Sequence, residues 1–166
     1  PLMFQPNDLT IAANGVIFAS DPDWKNRKGQ LWRIDTDGSS SLVEKDMGTT
    51  NGVEISPDQS RLYVNESAQR RVWVYDLDKK LQASNKRLLI QFPDFGLDGM
   101  RTDAKGNLYI ARYGKGVVAK VSPDGKLLKE YQLKGEFPTN VTFSQKDPTL
   151  LYVTMQKRGA VELIKL

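Results

Sequence analysis

Neither cysteine nor histidine occurs anywhere in this sequence. The first absence excludes disulfides, thiolate nucleophiles and sulfur-bound metal centres. The second removes imidazole as a metal ligand, as the base beside a serine nucleophile and as a pH switch near neutrality. A metal held by these side chains must therefore be held by oxygen. Long apolar runs are missing too: none reaches the roughly 18 residues of a membrane-spanning helix. No stretch repeats its apolar residues at the helical period. Charge is mixed, with a net of +4, and the densest basic cluster is Lys25, Arg27 and Lys28 beside Trp24. Nucleic-acid binding needs a contiguous basic face. The cluster therefore reads as a solvated loop following Asp21-Pro22, and neither nucleic acid nor membrane is expected as a partner. Pro1 is not a translation start and no targeting segment is visible, so the true N-terminus is expected upstream. The compartment stays open between cytoplasm and periplasm.

What the sequence does contain is one short phrase, written four times. It reads Pro6-Asn7-Asp8-Leu9, Thr50-Asn51-Gly52-Val53, Leu97-Asp98-Gly99-Met100 and Pro138-Thr139-Asn140-Val141. Its amide or acid recurs at steps of 44, 47 and 42 residues, running from Asn7 to Asn51, Asp98 and Asn140. A period in the forties, filled with strand-like sequence, marks β-propeller blades. Each phrase leads into a hairpin, turning at Ala13-Asn14-Gly15, Ser56-Pro57-Asp58-Gln59, Asp103-Ala104-Lys105-Gly106 or Gln145-Lys146-Asp147-Pro148. These residues supply the dihedrals and side-chain acceptors of tight turns. A second hairpin follows in the first three repeats, turning at Asp35-Thr36-Asp37-Gly38, Asp76–Lys79 and Ser122-Pro123-Asp124-Gly125.

Four short strands per repeat make one blade. The expected fold is an all-β propeller of about three and a half four-stranded blades, at 7–47, 48–95, 96–137 and an incomplete 138–166. A ring takes at least four blades, usually more, and an open arc exposes apolar blade faces to water. The chain is therefore expected to be part of a larger ring, completed by further blades of the protein or by another chain.

Inner strands line the channel of a propeller and start at one of its mouths. Asn7, Asn51 and Asp98 would then converge, one per blade. Two amides and a carboxylate form a hard, oxygen-only set suited to Ca²⁺ or Mg²⁺, with positions left for water and substrate. The alternative is that each residue is an Asx-turn cap at the start of its strand. Repetition alone does not separate the two, since caps also repeat, and Asn140 is in phase without being needed as a ligand.

Several stretches resemble the gluconolactonase, senescence-marker-protein and luciferin-regenerating-enzyme family. They are Pro6–Leu9 with Val16–Pro22, Thr50–Asp58, Leu97–Met100 with Gly106–Tyr109, Ala111–Gly116, and Pro138–Val141 with Leu151–Thr154. The resemblance covers essentially the whole chain in the right order, and it is especially close to bacterial sugar lactonases. It implies a six-bladed ring with one divalent cation at a channel mouth, Ca²⁺ first, with Mg²⁺, Zn²⁺ or Mn²⁺ as alternatives. The family's cation ligands are a first-blade Glu, an Asn matching Asn51 and an Asp matching Asp98. An Asn-Asp pair matching Asn7 and Asp8 holds water and substrate nearby. The first-blade Glu has no counterpart here, and Gln5-Pro6 stand where some members carry a sugar-gripping Arg. The chain thus looks like the C-terminal portion of such an enzyme, since six blades need about 270 residues, and it is expected to be inactive without the preceding blades.

The activity implied is opening of sugar lactones, with the cation polarising the carbonyl and stabilising the oxyanion. Asp98 is the first candidate for general base and Asp8 the second, because a carboxylate beside a cation is a weak base. Trp24 and Arg112 are candidates for the substrate wall. Glu66 and Arg112 end equivalent strands, so they either line that wall or pair with each other. Trp32 and Trp73 are equivalent positions expected in interblade packing. Phosphotriester hydrolysis at the same site, or a non-catalytic scaffold assembling with another chain, are the competing functions.

Overall fold

The computed structural model describes residues 2–166, and every regular element among them is a β-strand. The first sheet holds β1 (Leu9–Ile11), β2 (Ile17–Asp23), β3 (Lys28–Ile34) and β4 (Ser40–Met47). The second holds β5 (Thr50–Ile55), β6 (Arg61–Glu66), β7 (Arg71–Leu77) and β8 (Ala83–Gln91). The third holds β9 (Met100–Thr102), β10 (Leu108–Arg112), β11 (Val117–Val121) and β12 (Leu127–Gln132). The fourth has three strands, β13 (Pro138–Phe143), β14 (Leu150–Met155) and β15 (Ala160–Lys165). Strands pair antiparallel in chain order within each sheet, and the first strands β1, β5, β9 and β13 contact one another in succession. This is the all-β propeller arrangement that the repeat predicts.

The blades stack through three apolar layers, because strand alternation gives each sheet two buried faces. Phe18, Leu31 and Met47 of the first sheet meet Val53, Leu62, Val64 and Tyr75 of the second. Tyr63, Val72 and Val74, on the opposite face of that second sheet, meet Met100, Leu108 and Ile110 of the third. Tyr109 and Val118 then meet Val141, Leu151 and Val153 of the fourth. One aromatic position recurs through all four sheets: Phe18, Tyr63, Tyr109 and Tyr152. The first three are 0%, 1% and 2% exposed, whereas Tyr152 is 39% exposed. It sits on the last face of the arc beside exposed Val161 and Leu163. At the other end, Leu9 and Ile11 are exposed on β1.

Turns close as their residues dictate. The Asp58 carboxylate accepts from Ser56 Oγ, Ser60 N and Ser60 Oγ, and Asp103 accepts from Lys105 N and Asn107 N. Gly125 has φ +86°, and a Cβ there would lie 2.1 Å from the Leu89 carbonyl oxygen, so only glycine fits between these blades.

One expectation changes. β2 runs on through Asp21, Pro22 and Asp23, with Pro22 opposite Gly29, so the loop after Asp21-Pro22 shrinks to the tight hairpin turn Trp24–Arg27. The Asp23 carboxylate closes that turn by accepting from Asn26 N and Nδ2. Proline normally argues against a strand, which is why the sequence reads as a loop here. Trp73 packs in the layer between the first two sheets. Trp32, opposite Ala19 as Trp73 is opposite Val64, lies with Leu9 on the corresponding face of the first sheet and donates its Nε1 to Asp21 Oδ2 at 3.2 Å.

Candidate active site

The starts of the inner strands and the ends of the second strands meet at one mouth of the arc. They enclose a basin of about 320 Å³ lined by Asn7, Trp24, Asn51, Ser67, Asp98, Tyr113, Thr139 and Gln156. Asn7, Asn51 and Asp98 are brought together, one per blade, and Trp24 stands on the wall beside them.

Glycine sets their spacing. A Cβ on Gly52 would lie 2.6 Å from both Asn65 Nδ2 and the Asp98 carbonyl oxygen. Its absence lets Asn65 Nδ2 donate to that carbonyl at 2.6 Å, fixing the backbone of Asp98 against the second blade. A Cβ on Gly99 would likewise strike the Asn140 amide. Gly99 N instead donates to the Thr139 carbonyl of the fourth blade at 2.8 Å. The Asn-Gly and Asp-Gly steps thus make room for the next blade to nest.

The electrostatics are unusual for such a small cluster. Burial pushes the Asp98 carboxyl up to about 7, with the charge of Asp8 adding to the rise. Contact with the Asn51 amide and donation from Gly99 N, at 3.0 Å to Oδ1, only partly offset it. Asn51 is 2% exposed; its Nδ2 donates to Leu97 O at 3.4 Å, while its Oδ1 is buried with no donor among the described residues. The raised Asp98 carboxyl and this unpaired Asn51 oxygen belong to two residues that line one basin. This donor set suits a hard divalent cation, which prefers carboxylate and carbonyl oxygens. Among the described residues no three Asp or Glu side chains gather at one point. Among the described residues Asp98 is the one acidic side chain in the basin lining, so a cation held there would draw one carboxylate from that lining.

Asp8 is placed differently. Its Oδ2 accepts from Val53 N at 3.1 Å, tying the first blade to the second, and burial raises its pKa. Asn140 Oδ1 accepts from Val141 N at 2.8 Å, and Asn140 is not among the residues lining the basin. Arg112 does not reach the basin. It is wholly buried, stacks 3.9 Å over the Phe92 ring and donates Nη2 to the Asp94 carbonyl and Oδ1. Glu66 neither lines the basin nor pairs with Arg112: its Oε1 accepts from Gly48 N at 2.7 Å. Side chains alternate along a strand, so the last strand residue points sideways between blades and the following one points upward. Ser67, Tyr113 and Gln156 occupy that following position and line the basin. Tyr113 donates its hydroxyl to Gln156 Oε1 at 2.6 Å.

A propeller arc with an oxygen-only basin at one channel mouth defines the class of protein. Residues 3–157 match the SMP-30/gluconolactonase/LRE-like region, and the chain belongs to that family. It is 33% identical over 151 residues to pentonolactonase XacC of Haloferax volcanii, covering 89% of this chain and 52% of that protein. It is 32% identical over 168 residues to the gluconolactonase of Zymomonas mobilis, covering 87% and 46%. Among solved structures, a gluconolactonase of Xanthomonas campestris superposes with a TM-score of 0.79 at 26% identity, over 92% of this chain and 55% of that one. The chain spans about half the length of the relatives it matches.

Proposed function

We propose that this chain carries the greater part of the active site of a divalent-cation-dependent lactonase that opens sugar lactones. The observation that carries the reading is the buried Asn51 Oδ1, without a donor among the described residues, beside the raised carboxyl of Asp98 in a basin that Asn7 also lines. Kinship to named lactonases supports the substrate class. In this reading Asn51 and Asp98 are direct ligands, with Ca²⁺ the first choice. The remaining ligand, a Glu, comes from blades that complete a six-bladed ring with the three and a half present here. The exposed apolar end faces at Leu9 and Ile11 and at Tyr152, Val161 and Leu163 support that completion.

A bound cation would supply Lewis-acid polarisation of the lactone carbonyl and charge for the oxyanion. The chain's own residues do the rest. Asn7 orients water and ring hydroxyls, and Trp24 walls the basin and excludes solvent. The proton of the attacking water passes to the Asp98–Asp8 pair and returns to the ring oxygen as its bond to the carbonyl carbon breaks, leaving the open-chain hydroxy acid. Asp98 is the better placed acceptor, because it lines the basin while Asp8 commits Oδ2 to Val53.

The test is a rate comparison on glucono-1,5-lactone and an aryl phosphotriester, using this chain joined to the blades that precede it. Faster opening of the lactone, abolished by chelator and restored by Ca²⁺, is expected. Chelator-insensitive opening, or preference for the phosphotriester, overturns the reading. The 166-residue chain alone is expected to be inactive.

A further inference from the structure

The first strand of each blade pairs with only one neighbour in its own sheet, and β1 and β9 contribute just three residues each. Backbone ladders therefore do not hold one inner strand against the next, although the site residues are distributed across three of them. Side chains must supply that link. Glu54 does so from β5, three residues beyond Asn51. It is 8% exposed and both carboxylate oxygens are engaged. Oε1 accepts from Thr102 N and Thr102 Oγ1, both at 2.9 Å. Oε2 accepts from Arg101 Nη1 at 3.1 Å and from Thr10 Oγ1 at 3.5 Å. Thr10 Oγ1 in turn accepts from Ile55 N at 3.4 Å. One carboxylate thus joins β1, β5 and β9.

We infer that Glu54 is a positioning residue, a clasp whose contacts with Thr10, Arg101 and Thr102 fix the separation of Asn7, Asn51 and Asp98. Each attachment lies close along the chain to a site residue: Thr10 is three residues from Asn7, Glu54 three from Asn51, and Thr102 four from Asp98. At about 3.3 Å per strand residue, these are arms of roughly 10–13 Å. A slip of one inner strand is passed directly to its ligand. An amide at position 54 would present an N–H₂ to donors that now meet an acceptor on both sides, so Glu54→Gln breaks the clasp at nearly constant volume.

A purely stabilising role makes a different prediction, and two readouts separate them. The control is Leu77→Ala, a truncation at the end of β7 in the layer between the first and second blades, where Leu77 pairs with Ala83 and takes no part in the clasp. The first readout is Ca²⁺ affinity, measured by calorimetry on this chain joined to the blades that complete the ring, at a temperature well below both melting transitions. Glu54→Gln is expected to weaken binding at least tenfold, with Leu77→Ala binding like the parent. The second is the amide NMR spectrum of the cation-free chain, where Glu54→Gln should shift the Asn51, Gly52, Asp98 and Gly99 signals and Leu77→Ala should not. The first readout rests on the cation reading above; the second does not. If the completed parent binds no Ca²⁺, that reading fails and the amide shifts alone decide the clasp. Unmoved site amides, or equal affinity in Glu54→Gln and parent, overturn it.

Discussion

At the scale of the residue, Asp98 is pulled in opposite directions. Burial and the neighbouring Asp8 favour its neutral form, whereas the role proposed for it requires charge. In the cation-free chain the folded carboxyl titrates near 7, well above its ordinary value of 3.8. A raised folded value contributes stability that is complete below the unfolded value and lost as pH rises through the folded one. The cation-free chain is therefore expected to be less stable at pH 8 than at pH 5, by a few kcal/mol at most from this group. Urea denaturation at both pH values reads this out, and Asp98→Asn should flatten the difference. Arg112 makes the contrasting case. Truncation to Ala removes a fully buried side chain and its stacking on Phe92, at a cost of about 2–4 kcal/mol in thermal or urea denaturation. Cation affinity should stay unchanged, because Arg112 lies outside the basin.

At the scale of the element, the inner strands and their glycines decide where Asn51 and Asp98 stand. Gly52→Ala would drive a methyl group against the Asp98 carbonyl and Asn65. The expected result is a loss of about 1–3 kcal/mol in stability, with Ca²⁺ affinity falling tenfold or more, measured by denaturation and calorimetry. The repeated phrase makes these strands legible in the sequence, because a strand start, a turn and a blade period all leave marks in one register. Two outer strands leave weaker marks: β4 and β8 extend through charged, exposed residues that carry no apolar alternation. The extension of β2 through Pro22 is hidden by a residue that ordinarily ends strands. Glu66 and Arg112 stand one position away from the residues that face the basin, and only strand pairing shows which way the terminal side chain turns. Glu54 leaves no sequence signal, since its partners on β1 and β9 lie 44 and 48 residues away.

At the scale of the whole molecule, two features support the proposed completion by further blades. The arc ends in apolar faces that repeat the positions buried between its blades, Tyr152 matching Phe18, Tyr63 and Tyr109. The basin offers an amide and a carboxylate where a divalent cation needs more charge than one Asp supplies. Further blades would cover the faces and add the missing carboxylate together. The central claim, that Asn51 and Asp98 hold a divalent cation, is tested most directly by calorimetric titration of Ca²⁺ into this chain joined to the blades that complete the ring, and into its Asp98→Asn and Asn51→Ala variants. One site in the parent, with proton release at pH 6 as Asp98 ionises and with binding lost in both variants, is the predicted result. No heat of binding in the parent, or binding unchanged in the variants, would contradict it.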